Sequence, residues 1–231
     1  NEGFLETAVL RENVVKLARM IGYTPRSARS ARTTVNISVQ TAFPYPKSVT
    51  IGGGLVLNFT GLDNNNFVFS IPTDTSQSVD SLTGIATFSN TVLFEGLFLT
   101  DTFVKDTSQR QRFILTNDKV DTTSMIVEVT SGTITEKYLQ ATDITKIDST
   151  SKVFFLEESE YQIPEILFGD GVIGKALTNG DVVTVRYTTS SGNGANGLKV
   201  FENIGTYRDN VGNAISSGIT ITAVAFPDGG S

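Results

Sequence analysis

The stretch TVNISVQ, Thr34–Gln40, decides how the chain folds. Val35, Ile37 and Val39 alternate with Asn36, Ser38 and Gln40. A two-residue period puts all three apolar side chains on one face of an extended strand, whereas a helix would scatter them. Leu55, Leu57 and Phe59 repeat the pattern. Outward from these, apolar segments predict strands at Phe67–Ile71, Ile85–Phe88, Thr91–Leu99, Arg112–Leu115, Met125–Val129, Val153–Leu156, Ile163–Phe168, Val182–Tyr187 and Ile219–Ala225. Turn clusters separate them: Gly52-Gly53-Gly54, Asp63-Asn64-Asn65-Asn66, Ser131-Gly132, Asn179-Gly180 and Gly192-Asn193-Gly194. Short strands with frequent turns predict a mainly β chain of one or two antiparallel β-sandwich-like modules.

Upstream the period changes. Leu10, Val14, Leu17 and Ile21 are spaced four, three and four apart, which is one face of a helix over Leu5–Ile21. Glu12 precedes Lys16 by four, and Gly22 and Pro25 stop the helix. A shorter helix is predicted near Leu198–Asn203. Helix and strands together make the chain α+β by count. The expected division is 1–40 for the helix and first strand, 41–105 for a first β module, and 106–231 for a second β module with a glycine-rich hairpin. A polar stretch at Val104–Gln111 marks the softest boundary.

Composition narrows the chemistry. The chain has 231 residues and a net charge of −6, so a general nucleic-acid partner is not expected. No apolar run is long enough to span a bilayer, so no membrane partner is expected. There is no Cys, His or Trp. Disulfides, His- or Cys-based zinc sites and Ser-His-Asp or Cys-His catalysis are therefore excluded within this chain. No cofactor, metal or enzyme activity is expected. The chain begins at Asn1 and ends in Gly229-Gly230-Ser231, which reads as a piece of a longer protein.

Four candidate sites need weighing. Gly169, four residues and then Gly174-Lys175 approach the spacing of a phosphate-binding loop. Position 176 is Ala, not the magnesium-binding hydroxyl, and no helix fits before Val182. Gly169, Asp170, Gly171, Gly174, Asn179 and Gly180 are therefore read as turn builders, with Asn179-Gly180 as a type I′ hairpin signal. Arg26, Arg29 and Arg32 recur every three residues. They read as an anion or acidic-partner contact, or as a solvated connector, which three arginines favour. Glu157, Glu158 and Glu160 read as a solvated edge, and Asp63–Asn66 as an Asx-type turn. The candidate partner contacts are Leu10, Val14, Leu17 and Ile21 with Arg26, Arg29 and Arg32, although an intramolecular core explains the apolar four equally well.

Three blocks carry a resemblance. FLETAVLRENVVKLARMIGYTPRSARSARTTVNISV (Phe4–Val39), TVLFEGLFLTDTFVKDTSQRQRFIL (Thr91–Leu115) and YQIPEILFGDGVIGKALTNGDVVTVRYTTSSGNGANG (Tyr161–Gly197) occur in this order. They resemble the contractile-tail phage baseplate wedge proteins of the gene product six type, within the baseplate J-like family. The resemblance implies a structural protein of the virion tail baseplate, made in the host bacterial cytoplasm. It implies partners among other wedge subunits and copies of itself, and no catalytic residues. It also implies that later parts of the family protein are missing here, which would leave this piece monomeric when isolated. The alternative is a carbohydrate-binding or adhesin-type β module, which requires exposed aromatics among Tyr45, Tyr138, Tyr161 and Tyr187. An enzyme using carboxylates ranks last.

Overall fold

The computed structural model describes residues 28–61, 64–108, 112–159 and 163–231. The predicted helix, with Leu10, Val14, Leu17, Ile21 and the neighbouring Arg26, lies outside the described residues. Among the described residues the fold is mainly β, with no α-helix.

In chain order the first strands are β1 (Arg32–Gln40), β2 (Ser48–Ile51), β3 (Gly54–Thr60), β4 (Asn66–Ile71), β5 (Thr75–Ser78) and β6 (Ile85–Glu95). Then come β7 (Phe98–Val104), β8 (Phe113–Ile114), β9 (Ile126–Ser131), β10 (Ile134–Gln140), β11 (Val153–Glu158) and β12 (Pro164–Phe168). The last are β13 (Val182–Thr188), β14 (Phe201–Asn203), β15 (Tyr207–Asp209) and β16 (Ile219–Asp228). A short 3-10 turn, Ile144–Lys146, lies between β10 and β11.

The chain divides into two compact units. A flanking unit comprises Ala28–Thr100, Thr123–Met125 and Arg186–Ser231, and an inserted unit comprises Asp101–Thr122 and Ile126–Val185. These units cut the chain differently from the consecutive blocks 1–40, 41–105 and 106–231. The first strand and the last segment belong to one unit because β1 pairs antiparallel with β16.

The flanking unit holds a six-stranded sheet of order β14-β3-β4-β6-β1-β16 and a three-stranded sheet of order β15-β2-β5. The alternation in β1 acts as its sequence requires: Val35, Ile37 and Val39 are fully buried and Asn36 and Gln40 are exposed. Two strands expected at Ile85–Phe88 and Thr91–Leu99 are instead the continuous β6, followed by a turn at Gly96 and β7. A β-bulge joins the two parts: the register on β1 shifts between Val35↔Thr91 and Ile37↔Phe88. Asn90 takes up the extra residue with φ 51°, and its N–H donates to Asn36 Oδ1 at 2.8 Å. Asn tolerates that left-handed conformation better than most residues, so the strand need not end there.

The predicted helix at Leu198–Asn203 is corrected to the strand β14, paired antiparallel with β3. Packing overrides local propensity at this point. The Phe201 ring sits 5.1 Å from Phe59, which lies 4.9 Å from Phe69. Asn58 Nδ2 donates to Glu202 Oε1 at 2.9 Å. Phe201 is partly buried against this core, and even about half of the roughly 3 kcal/mol of a fully buried aromatic exceeds a weak helical preference over a few residues.

The inserted unit is built on a seven-stranded sheet of order β7-β13-β9-β10-β11-β12-β8. Buried Val127, Val129, Tyr138, Phe154, Ile166 and Val183 form its interior. Edge-to-face aromatic pairs tie it together: Phe113 with Phe168 at 5.3 Å and Tyr138 with Phe168 at 5.6 Å. Arg112 and Glu165 form a two-pronged ion pair between β12 and the residue before β8.

Candidate functional site

The glycine-rich segment Phe168–Ala176 lies in the inserted unit, after β12. Its two ends are pinched together, with Gly169 and Ala176 forming an isolated parallel bridge. A Cβ at Gly169 would lie 2.2 Å from the Gly174 carbonyl carbon and oxygen, so the backbones approach as closely as only glycine permits. Gly171 and Gly174 both have positive φ, 88° and 85°. Asp170 Oδ1 accepts from the N–H groups of Val172 and Ile173, each at 2.9 Å, which closes an Asx turn. These bonds hold the Asp170 carboxyl below its ordinary range.

The amides of Gly171, Gly174 and Lys175 also have partners in the protein. Gly171 N–H donates to Gly174 C=O at 3.0 Å, Gly174 N–H to Asp148 C=O at 2.9 Å, and Lys175 N–H to Ser151 C=O at 2.8 Å. Asp148 forms its own turn, accepting from the hydroxyls of Ser151 and Thr150 at 2.7 and 2.9 Å. Those hydroxyls, with the Thr150 amide, hold its carboxyl at about 2. A phosphate cradle needs free amides and a helix start. Here the amides of residues 171–175 are bonded within the protein, and the chain proceeds to a turn and then β13.

Lys175 is likewise engaged. Its Nζ donates to Glu136 Oε2 at 2.8 Å, and Lys152 Nζ lies 2.7 Å from Glu136 Oε1. The Lys152 and Lys175 contacts hold the Glu136 carboxyl low, and the Glu136 bond raises the Lys175 ammonium. What the segment offers outward is apolar: Val172 is 73% exposed and Ile173 is partly exposed. Ile144 and Leu139, on the segments leading to Asp148, are also exposed.

Asn179-Gly180 differs from the expected type I′ hairpin. Gly180 has φ 86° but Asn179 is not in the left-handed region. Asp181 N–H closes the turn on Thr178 C=O at 3.2 Å. The strands on either side, β12 and β13, are not neighbours in the sheet, so this is a connecting turn. Asn179 Oδ1 instead accepts from the Thr107 N–H at 3.1 Å, so its side chain binds another loop and needs no φ > 0. Beside it, Asp181 accepts from Ser131 Oγ at 2.6 Å and from Thr178 N–H and Oγ1 at 2.8 Å. Burial alone would raise its carboxyl, but these bonds more than offset that and hold it low.

Of the arginines, Arg29 and Arg32 are described and exposed, in the flanking unit. The Arg29 backbone pairs with Ser231 in both directions, at 2.7 and 3.0 Å. Arg32 starts β1, with its guanidinium 4.8 Å from the Phe94 ring centre and donating to Thr123 Oγ1. With Asp228 they border a recess of about 140 Å³. The structure thus groups Gly169, Asp170, Gly171 and Gly174 in one loop, Asn179 and Gly180 in the next turn, and Arg29 and Arg32 in the other unit.

Sequence reasoning missed Glu136, Asp148, Ser151 and Lys152, which anchor that loop. The run Asp148-Ser149-Thr150-Ser151 is itself a side-chain-to-backbone turn signature. Among the described residues no group of His, Cys, Asp and Glu is arranged to hold a metal, and no helix is long and apolar enough to cross a membrane. No protein-family model matches the chain, and no curated protein matches it.

Proposed function

We propose that this chain is a structural subunit of a contractile-tail phage baseplate wedge, with no catalytic role, whose surfaces hold other wedge proteins and further copies of itself. The three ordered blocks, Phe4–Val39, Thr91–Leu115 and Tyr161–Gly197, support the reading. The observation that carries it is the state of Phe168–Ala176. A segment that looks like a ligand loop has the amides of residues 171–175 and its lysine bonded within the protein, and presents Val172 and Ile173 to solvent on a rigid support. A preorganised apolar tip loses little entropy on docking, which suits an assembly contact.

The test is co-migration of the chain with candidate wedge proteins in size-exclusion chromatography. A shared peak is expected, and Val172→Asp should weaken it without unfolding the chain. Persistent separate elution across all candidate partners would overturn the reading.

One observation favours the carbohydrate-binding or adhesin alternative. Phe43 is 83% exposed and stacks edge-on with Tyr45 at 5.6 Å. Nearby, Pro44 and Pro46 border a recess of about 300 Å³ together with Asp209 and Ile215. Against it, Tyr138 and Tyr187 are buried and cannot form a sugar platform, and Tyr161 lies outside the described residues. Binding on a glycan array that is abolished by Tyr45→Ala would make this the better reading.

A further inference from the structure

Among the described residues, the edge of the six-stranded sheet formed by β16 is open. β16 is ten residues long, and among the described residues β1 is its one strand neighbour. Gln40 N–H donates to Gly218 C=O at 2.9 Å. This bond fixes the parity of the ladder. Gly218, Thr220 and Thr222 turn their backbone groups toward β1, and Ile219, Ile221 and Ala223 turn theirs away. Beyond β1, the backbone bond that β16 makes among the described residues is from Gly197 N–H to Pro227 C=O at 2.7 Å, near its far end. The outward N–H and C=O groups of residues 219–223 therefore form a template for another strand.

Proteins usually blunt such an edge with lysine, inward charge or a very short strand. Ile219–Pro227 carries no ionisable side chain, in a chain of net charge −6. Thr220, Thr222, Val224 and Phe226 are exposed on its outer face. Ile219 and Ile221 pack against the buried core.

We propose that β16 pairs antiparallel with β16 of a second copy of this chain, about a two-fold axis at Ile221. In that register Ile221 meets the second copy's Ile221, and Ile219 meets its Ala223, as hydrogen-bonded pairs. These are the residues whose backbone groups face outward. Thr220 then lies opposite Thr222 on the outer face, in the close non-hydrogen-bonded position. The lack of charge selects this occupant. Like meets like across the axis without repulsion, whereas most segments of an acidic chain would not tolerate self-pairing. The arrangement is isologous, so it closes as a dimer and does not propagate as a fibre. Pro227 lacks an N–H and the register shift on β1 near Ala225 breaks the ladder, so the pairing stops there. The inference departs from the monomer expected of the isolated piece and gives the assembly reading a specific surface.

The test is sedimentation velocity of the 231-residue chain from micromolar to millimolar concentration. The wild type should move from monomer to dimer. Thr220→Lys with Thr222→Lys should stay monomeric, because lysines then face lysines, and Thr220→Glu with Thr222→Glu likewise. An equimolar mixture of the two double variants should form a heterodimer, which misfolded variants could not do. A wild type monomeric throughout, a lysine variant that dimerises like the wild type, or a mixture that stays monomeric would each overturn the proposal. The two readings fail separately. A chain that never dimerises can still co-migrate with wedge proteins, and a dimer that ignores them can still pair through β16.

Discussion

The loop Phe168–Ala176 and the strand β16 handle their backbone polar groups in opposite ways. In the loop, the amides of residues 171–175 are bonded to Asp170, Gly174, Asp148 and Ser151, so these N–H groups are already engaged. In β16, residues 219–223 pair on one side with β1, and among the described residues no strand pairs with their other side. A closed backbone makes a rigid support on which recognition depends on side chains such as Val172. An open edge recognises any strand of compatible shape and charge, and specificity must come from register. Buried backbone groups are almost always paired, so each arrangement constrains what the region can bind.

The sharpest way to break this contrast is at Gly169. Gly169→Ala places a methyl 2.2 Å from the Gly174 backbone, which cannot swing aside as a side chain can. We expect a loss of about 3 kcal/mol or more, read as a lower urea midpoint at unchanged slope. Gly132, in the β9–β10 turn of the same unit, gives the reference. It has φ 60° with nothing near its missing Cβ, so Gly132→Ala carries only the left-handed cost of about 1 kcal/mol. Equal losses at the two positions would mean that the loop is not pinned.

Why some of this was legible and some was not follows from where the information lies. The β1 pattern could be read because one buried face forces a strict two-residue period. The Ser131-Gly132 turn could be read because β9 and β10 are adjacent in chain and sheet. β10 itself was missed: its central Glu136 and Lys137 hide the alternation, and Tyr138 is its one buried side chain. β5, with the sequence TSQS, carries no apolar residue, and its place depends on pairing with β2. The Asn179-Gly180 signal is local, but β13 finds its partners elsewhere in the sheet, so a hairpin motif became a connecting turn. In the loop the glycines were visible, while their anchors at Asp148 and Ser151 are distant in sequence and come together only through the β11–β12 pair.

Acid and alkali should act through different groups. Asp148 is held at about 2, below its ordinary 3.8, so its contribution is complete above roughly pH 4 and is lost as the pH falls through about 2. Amide exchange at Thr150, Gly174 and Lys175 should rise in that window while the β1–β16 ladder stays protected. Tyr207, in the flanking unit, is pushed up to about 12 by burial, and its hydroxyl donates to Asn203 Oδ1 at 3.1 Å. Its folded form keeps a proton that the unfolded chain releases near pH 10. Its stabilising share is therefore present below about pH 10 and lost as the pH rises through about 12. Tyr138, in the inserted unit, is also raised by burial, so ultraviolet titration should show late tyrosines, of which one is lost in Tyr207→Phe. An alkaline titration unchanged in Tyr207→Phe would contradict this assignment.

The smallest expected change is the most discriminating. Thr220 and Thr222 are exposed on the outer face of β16, so replacing both by Lys should move the unfolding free energy by no more than about 0.5 kcal/mol. Their backbone groups face β1 and are unchanged by the substitution, and Ile219 and Ile221 keep their place against the core. Self-pairing should nevertheless disappear, because each lysine would meet another across the two-fold axis. If the double variant instead loses several kcal/mol, Thr220 and Thr222 contribute to the core of the folded chain. The open edge would then be a feature of stability, and the contrast with the closed loop would no longer be one of recognition.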